Sequence, residues 1–502
     1  MTLLDPIDQS VADERGSAVS EEQKQVSRRE FLKIAGAAGA VVGLAGGLGG
    51  ILTACGEEKP AGTTAGADTT AGPTTTTAAA TSTTEAATTT SVMAGVEEGR
   101  PVRVGFVDPI TGVLAAFGLA GDYCVGKWRA AVADGVVLGD GKRHRFEIEV
   151  QDSQSDTNRA SQVTADLINN AKVDLVMAAA TGDTVNPVAD QCEASGMPCL
   201  SIDVPVEVFV FQRGGAPDKP FQWTYNLFWG MTEEQQVEWD MFSQVSTNQK
   251  IAAMWPNNAP GNAYRDVYGP SEEWKANGYT FVDGGAYNEP SEEFTQQISL
   301  FKKEGCEIAM GVMIDPDWSI FTKQCVQQGF MPNIMYGIKP TLFPTTMEAI
   351  GPLADGHTGT QWFHPTYPFK SSLTGETCRQ LCDDFEQVKG MQWQQTIMHY
   401  ALFEWAVDVF KRTTDLDDRA EFIKRVQETK LAETVAGPID YTVPVQWGTS
   451  HPTLNCVTTP VYGGQWRLTN GGKYQFDLVV VSNAAAPMVA VQDKMKPMTW
   501  TS

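Results

Sequence analysis

Short apolar strands alternate with amphipathic helices along residues 101–502, and this alternation restricts the fold more than any other feature of the sequence. The run at 102–107 predicts a first strand, and apolar residues at helical spacing predict a helix over 119–133. Further strands are predicted at 146–150, 173–177 and 198–202, and a further helix at 157–170. Repetition at this spacing implies right-handed crossovers, so we predict an α/β fold with a parallel sheet.

A second set of elements follows an irregular stretch rich in glycine and proline at 213–220. Strands are predicted at 251–255, 279–282, 307–314, 333–336 and 359–363, and helices at 267–277, 394–411 and 419–429. The last sixty residues change character, because 457–468 and 473–481 read as antiparallel ribbons around Asn470-Gly471. The body is therefore predicted to have two lobes and a β-rich terminal segment.

The first 54 residues have the pattern of an export signal. Residues 27–33 read Ser-Arg-Arg-Glu-Phe-Leu-Lys, a full twin-arginine motif, and 34–52 follow without a charge. Seven of those 19 positions are glycine, and such a weakly hydrophobic run is typical of a Tat-type signal, not a membrane span. The run ends in Leu-Thr-Ala-Cys, a lipobox whose Cys55 thiol takes the lipid. We predict that 1–54 is a signal peptide and that Cys55 anchors the chain at the extracytoplasmic face of the cell membrane.

The segment that follows the predicted lipid anchor has the composition of a tether. The 45 residues after Cys55 contain 14 threonines and 10 alanines, and very few large apolar side chains. Such a segment cannot bury enough surface to offset its chain entropy, so we predict disorder over 55–100. A flexible coil of this length spans about 35–40 Å, which would hold a globular body clear of the membrane.

Composition excludes several classes of function. The chain has 61 acidic and 37 basic residues, a net charge of −24, which is opposite to what nucleic acid or anionic lipid requires. Its five histidines lie far apart in sequence, so no metal site of the His-rich zinc type is expected. The sequence has neither a Gly-x-Ser-x-Gly elbow nor a phosphate loop, and we expect no enzyme activity. A hydrolase that uses scattered acids stays open as an alternative.

Several short motifs occur in an order that resembles one protein family. They are Gly105-Phe106, Thr111-Gly112, Phe117-Gly118, Asp152, Asp156-Thr157, the run 190–198, Glu293-Phe294-Thr295 and the run 437–441. Together they resemble the branched-chain amino-acid and amide solute-binding proteins of ABC transporters, over nearly all of 101–502. The resemblance implies a periplasmic binding protein type I fold, in which two Rossmann-like lobes with parallel sheets are joined by hinge strands. On this basis lobe 1 covers about 101–222 and 341–435, and lobe 2 about 223–340 and 436–502.

The resemblance also implies the function and the partners. A protein of this kind binds an amino acid, an amide or a related small solute between its lobes and delivers it to ABC permease subunits. It acts as a monomer and needs no cofactor. A ligand sensor on the same fold, acting on a signalling partner, is the alternative, and the sequence does not name the ligand.

Strand ends supply the candidate ligand-binding residues, because the crevice of an open parallel sheet lies beyond the carboxyl ends of its strands. In the first lobe these candidates are Thr111, Thr181, Thr184, Ser201 and Asp203, and in the second Trp229, Trp255, Asn257, Asp315, Trp318 and Trp362. Hydroxyl groups suit a carboxylate or amide oxygen, and an acid suits an ammonium group. The tryptophans suit an apolar, aromatic or cationic side chain.

The resemblance assigns roles to some of these residues. It implies that Thr181 or Thr184, together with Ser201 and Asp203, holds an α-carboxylate. It implies that Phe117 forms a wall of the site, and that Asp315 or Asp317 pairs with an ammonium group. The acid Asp203 replaces a hydroxyl that is common in the family, and it would repel a carboxylate unless it faces the ammonium group.

Eight cysteines remain after Cys55, and in an exported protein they can be oxidised to disulfides. In a βαβ unit a helix returns to the edge where the next strand begins. Cys192 late in a helix should therefore meet Cys199, and Cys306 should meet Cys325 in the same way. We expect two structural disulfides from these pairs, with free buried thiols as the alternative. Cys378 and Cys382 lie four apart on one predicted helix and would bridge each other only with strain, so Cys124 and Cys456 are candidate partners for them.

Overall fold

The computed structural model describes residues 95–216, 219–443, 445–447, 451–453 and 455–500. Its strands are β1 (Val102–Asp108), β2 (Val136–Val137), β3 (Arg143–His144), β4 (Phe146–Asp152), β5 (Leu175–Ala178), β6 (Cys199–Ile202), β7 (Thr224–Leu227), β8 (Lys250–Met254), β9 (Thr280–Asp283), β10 (Ile308–Gly311), β11 (Ile334–Gly337), β12 (Thr358–Gln361), β13 (Lys430–Leu431), β14 (Ile439–Asp440), β15 (Val445–Trp447), β16 (His451–Thr453), β17 (Cys456–Val457), β18 (Tyr462–Leu468) and β19 (Phe476–Ser482).

The α-helices are α1 (Ala115–Gly118), α2 (Gly121–Ala131), α3 (Thr157–Asp166), α4 (Gly182–Ser195), α5 (Val206–Phe211), α6 (Met231–Ser243), α7 (Ala259–Ala263), α8 (Glu272–Ala276), α9 (Thr295–Glu304), α10 (Asp315–Gln327), α11 (Pro344–Ile350), α12 (Cys378–Lys389), α13 (Tyr400–Arg412) and α14 (Arg419–Gln427). Short 3-10 turns occur at Pro340–Leu342, Gly351–Ala354 and Gln395–His399, and π turns at Leu167–Ala171 and Tyr264–Tyr268. Among the described residues, no helix is both long and apolar enough to cross a bilayer.

The first lobe is built on a parallel six-stranded sheet. Its strand order is β17-β7-β6-β5-β1-β4, and every neighbouring pair in it is parallel. All residues of β5, β6 and β7 are buried, as they must be in a parallel sheet that helices cover on both faces. The core includes an edge-to-face contact between Phe106 and Phe403, with ring centroids 5.3 Å apart. The predicted α/β class with parallel sheets is confirmed.

The second lobe is built on a mixed seven-stranded sheet in the order β19-β18-β12-β11-β10-β8-β9. The pairs from β12 to β9 are parallel, whereas β12 with β18 and β18 with β19 are antiparallel. The long strands β18 and β19 are the ribbons that the sequence predicts at 457–468 and 473–481. They extend the parallel sheet and do not form a separate unit.

The chain passes between the lobes three times, and the sheets fix where. It crosses between β7 and α6, between β12 and the turn Gln395–His399, and between β17 and β18. The lobe boundaries predicted from the sequence put β7 and β17 in lobe 2 and β12 in lobe 1. In the structure β7 and β17 pair within the sheet of the first lobe, and β12 pairs within the sheet of the second. Local patterns identify a strand, but they do not show which sheet it joins.

One predicted helix is interrupted. The sequence predicts a helix over 267–277, and the structure has the π turn Tyr264–Tyr268 and the separate helix α8 there. Pro270 lies between them, and proline both removes a backbone donor and disfavours a helical residue before it. Side chains cap some of the helices, for example Asp156 Oδ1, which accepts a hydrogen bond of 2.7 Å from Arg159 N at the start of α3.

The last residues of the predicted tether belong to the body. Gly99 N donates to Arg143 O and Arg143 N donates to Glu97 O, both at 2.8 Å, so this segment adds to the ribbon of β2 and β3. Arg100 forms ion pairs with Asp174 at 2.9 Å and with Asp417 at 2.8 Å. The prediction of disorder is therefore wrong for 95–100, because these backbone and charged groups have partners. Cys55 and the rest of the predicted tether lie outside the described residues.

The predicted disulfides do not occur among the described cysteines. All eight, including Cys192, Cys199, Cys306 and Cys325, are free buried thiols. Cys192 and Cys199 nevertheless meet as the crossover geometry requires. Burial, followed by the interaction with Cys199, raises the pKa of Cys192 well above its ordinary value. A thiol held in this protonated form has little nucleophilic character.

Candidate ligand-binding cleft

Segments that follow the carboxyl ends of parallel strands in the two sheets contact each other, and we call the space between these strand ends the cleft. Phe117, which follows β1, meets Phe343, which follows β11, with ring centroids 4.9 Å apart at an angle of 78°. Gln212 Nε2, after α5, donates a hydrogen bond of 3.0 Å to Ala259 O at the start of α7. These two contacts join the first lobe to the second at the cleft.

Two loops of the first lobe enter the cleft with unusual backbone geometry. Ala180 and Thr181 follow β5 with φ values of 69° and 42°, and Asp203 follows β6 with a φ of 73°. Residues other than glycine at positive φ cost about 1–3 kcal/mol each, and they cluster at ligand clamps and active sites. Thr181 is also 6 % exposed, and its hydroxyl has no hydrogen-bond partner among the described residues.

Asp203 is paired with a residue that the sequence analysis missed. Its Oδ2 lies 3.0 Å from Nε2 of His399, on the turn that precedes α13. The two side chains are 3 % and 0 % exposed, and the other ring nitrogen of His399 has no partner in the described part of the chain. Burial raises the pKa of Asp203, and the hydrogen bond with His399 opposes that rise. No local pattern connects two residues 196 positions apart.

Asp108, at the end of β1, is a second buried acid of the first lobe. One carboxylate oxygen, Oδ1, has no hydrogen-bond partner among the described residues. Burial raises the pKa of Asp108 to about 7, while His399 opposes that rise. Its carboxyl group therefore changes charge near neutral pH.

In the second lobe, two acids and one lysine are candidates for contact with a ligand. Glu289 accepts hydrogen bonds from Ile314 N at 2.8 Å and from Asn258 Nδ2 at 2.6 Å. Asp315 begins α10, and burial raises its pKa to about 7. Lys339 follows β11, is buried, and donates to no acceptor among the described residues. A lone lysine directly after a buried strand, in Tyr336–Pro340, is the signal by which the sequence could have revealed it.

Aromatic rings gather where the chain crosses between the lobes. Trp229, after β7, lies 6.0 Å from Trp362, after β12, and Phe228 meets Trp362 edge to face at 5.0 Å. Both indole N–H groups are buried without an acceptor in the described part of the structure. Both tryptophans therefore lie where the chain crosses between the lobes, and their contact with a ligand stays a prediction.

Other predicted site residues have their polar groups engaged within one lobe. Thr184 Oγ1 donates to Ala180 O at 2.5 Å, and Ser201 Oγ donates to Tyr225 O at 3.1 Å. Thr111 is exposed and donates to Asp152 Oδ2 at 2.6 Å. Neither Thr184 nor Ser201 therefore has a free hydroxyl proton for a ligand.

The remaining predicted residues of the second lobe pack inside it or face outward. Trp318 Nε1 donates to His357 Nδ1 at 3.1 Å in the core, and Trp255 stacks near Phe281 with centroids 5.3 Å apart. Asn257 is exposed. Asp317 is buried and accepts from Ser291 N at 3.1 Å, so of the two acids proposed for an ammonium group Asp315 is the less engaged.

Comparison with known proteins places the chain in a family. A family model described as periplasmic binding protein matches residues 101–466. The chain belongs to the periplasmic binding protein family. A model of the twin-arginine translocation signal matches residues 25–45, which confirms the export motif at 27–33. No curated protein sequence matches the chain significantly.

Solved structures share the fold at low sequence identity. A leucine-binding protein of Thermotoga maritima is 14 % identical, with a TM-score of 0.60, over 76 % of this chain and 98 % of that one. A branched-chain amino-acid binding protein of Streptococcus pneumoniae in complex with isoleucine is 15 % identical, with a TM-score of 0.59, over 76 % and 99 %. A solute-binding protein of Rhodopseudomonas palustris in complex with benzoate is 15 % identical, with a TM-score of 0.58, over 79 % and 99 %. The periplasmic binding protein type I fold predicted from the motifs is confirmed.

Proposed function

We propose that this protein is the extracytoplasmic solute-binding receptor of an ABC importer. It binds an amino acid, an amide or a related small solute in the cleft and delivers it to the permease, without chemical change. The observation that supports the proposal is that buried polar atoms without partners lie at or just after the carboxyl ends of strands in both lobes. These are Asp108 Oδ1 and Thr181 Oγ1 from the first lobe and Lys339 Nζ from the second, among the described residues. Such atoms are normally satisfied, so a bound molecule that supplies their partners is the simplest explanation.

Different residues of the cleft bind different parts of the solute. The Thr181 hydroxyl and the first N–H groups of α4 hold a polar head group, since a helix N-terminus favours negative charge. Asp315 pairs with an ammonium group where the solute has one. Phe117, Trp229 and Trp362 form the walls. The structural neighbours with isoleucine and benzoate support a ligand of this size.

Closure of the lobes on the solute is the expected mode of binding. We expect native mass spectrometry of the protein purified from its own cells to show one small molecule per chain. Removing that molecule by dialysis in denaturant and refolding should give a larger radius of gyration in small-angle X-ray scattering. Adding it back should restore the smaller radius, because the contacts between the lobes at Phe117–Phe343 and Gln212–Ala259 form only in the closed state.

A Gln212→Ala variant is the matched control for this experiment. It removes one contact between the lobes and no proposed ligand contact, so it should bind the same molecule with incomplete closure. Conversion of the bound molecule into a product of different mass would contradict the proposal and favour a hydrolase. A radius that does not change with ligand would contradict the closing cleft.

We further propose that the chain is a lipoprotein held at the membrane through Cys55 alone. Replacing Cys55 with serine removes the thiol to which the lipid is attached. Since each buried methylene of a lipid chain contributes about 0.8 kcal/mol, the variant should move almost completely from the membrane to the soluble fraction. Fractionation followed by immunoblotting measures this, with Thr63→Ser in the adjoining segment as the control. A Cys55→Ser chain that stays in the membrane fraction would show that another segment anchors it.

A further inference from the structure

Lys339 is a charged residue of the cleft that is buried without a partner. The residue is 6 % exposed, and among the described residues no atom accepts a hydrogen bond from Nζ and no carboxylate forms an ion pair with it. Removing an ammonium group from water without a counter-charge is strongly unfavourable. A folded chain keeps such a group where something else completes its environment.

Lys339 lies two residues after β11, at the carboxyl end of that strand, and Phe343, four residues further along the chain, contacts Phe117 of the first lobe. Burial raises the pKa of three acids, namely Asp203 in the first lobe and Glu289 and Asp315 in the second. The positive charge of Lys339 opposes that rise at all three. These effects agree with a place for Lys339 close to both lobes.

Two of the acids near Lys339 have other partners. Asp203 is bound to His399 at 3.0 Å, and Glu289 accepts the hydrogen bonds from Ile314 and Asn258. The third acid, Asp315 in the first turn of α10, is not within the 4.0 Å of an ion pair with Lys339. Lys339 is therefore left to pair with a group that the described chain does not supply.

Lys339 itself suits a carboxylate, and the aromatic rings near it suit an apolar body attached to that carboxylate. Phe343 lies four residues further along the chain, against Phe117 of the opposite lobe. An inorganic anion such as phosphate would gain nothing from these rings, whereas the hydrocarbon part of a carboxylic acid would pack on them.

We infer that Lys339 is a specificity-determining residue that binds the carboxylate of a small carboxylic acid with an apolar or aromatic body. This inference rests on the proposed function, because it assumes that the cleft binds a solute. The site at Lys339 differs from the head-group site at Thr181 and α4, since the positive charge that binds the carboxylate comes from the second lobe. Pairing with Lys339 is then possible only when the lobes have closed.

Matched acids and amides test this inference on the full mature chain. The probes are benzoate and benzamide, L-leucine and L-leucinamide, and inorganic phosphate, titrated by isothermal calorimetry at pH 7. The variants are Lys339→Met and Lys339→Gln, which remove the charge, and Lys339→Arg, which keeps it. Lys323→Met is the control, because Lys323 is an exposed lysine of the same lobe on the outer part of α10. Circular dichroism establishes that each variant is folded, and the second neutral variant replaces the first if one of them is not.

We expect at least one acid to bind the wild-type chain ten or more times more tightly than its amide. Lys339→Met and Lys339→Gln should lose that preference, whereas Lys339→Arg and Lys323→Met should keep it. The inference is overturned if no acid binds more tightly than its amide, or if phosphate binds as tightly as benzoate. It is also overturned if a folded neutral variant keeps the preference, because the carboxylate would then be held at Thr181 and α4.

The same titrations separate this inference from the proposed function. If amides bind as tightly as acids, the cleft binds solutes but Lys339 does not select them, and only the inference fails. If neither the probes nor the molecule that co-purifies with the protein binds, both fail.

Discussion

Replacing Trp318 with alanine is expected to lower the free energy of unfolding by about 3–5 kcal/mol, the usual loss for a fully buried tryptophan. The indole is 0 % exposed, and its ring lies 5.7 Å from the ring of Phe321. Gly311 and Gly337 lie so close that a Cβ atom on either would come within 2.9 Å and 3.1 Å of it. Two neighbouring strands therefore pack directly on this ring, and its removal leaves a cavity that they cannot fill.

The substitution also leaves a polar atom without its partner. Burial lowers the pKa of His357 to about 3, so the imidazole is neutral and its Nδ1 accepts the hydrogen bond from Trp318. Chemical denaturation followed by circular dichroism measures the loss. Trp500→Ala is the control, because that ring is only partly buried near the end of the chain, and we expect it to change stability much less. A Trp318→Ala protein of normal stability that no longer binds its ligand would instead place this ring in the cleft.

The free energy of unfolding is expected to fall as the pH rises from 5 to 8, and Asp108 should account for about 2–3 kcal/mol of the fall. Burial raises the pKa of Asp108 to about 7 in the folded chain, whereas an unfolded aspartate titrates near 4. Between these values the folded state binds more protons than the unfolded state. Stability therefore decreases as the proton is lost, and the decrease is complete above pH 7.

An Asp108→Asn variant tests this directly, because an amide of the same shape cannot titrate. Its stability should fall less than that of the wild type over the same range, and the two should differ most at pH 8. Part of the fall should remain, since burial also raises the pKa of Asp317 and Glu404 to about 7. Asp134→Asn, at an exposed carboxylate that follows α2, is the control. Equal slopes for wild type and Asp108→Asn would contradict a buried, titrating Asp108.

The sequence by itself determined the fold class and the export signal. Strands such as β5, β6 and β10 are continuous apolar runs, and only a sheet covered on both faces buries such runs completely. Helices between them at regular spacing then require parallel crossovers. The twin-arginine motif is read from the chain itself, so no tertiary contact was needed to find it. The sequence also placed Thr181, Asp203, Asp315 and Trp362 just beyond strand ends, because the carboxyl edge of a parallel sheet follows from strand direction alone, while their contact with a ligand stays a prediction.

Only the tertiary structure decided which of the candidate residues meet. Asp203 and His399 are 196 residues apart, and Phe117 and Phe343 approach from different lobes. Periodicity reports which face of an element is buried, but not whether the neighbour there is the core of the same lobe or the opposite lobe. For that reason the sequence assigned Trp318 to the cleft, where the structure packs it against Gly311 and Gly337. The sequence shows a lysine at 339 directly after a buried strand, but only packing shows that its ammonium group is removed from water and has no partner among the described residues.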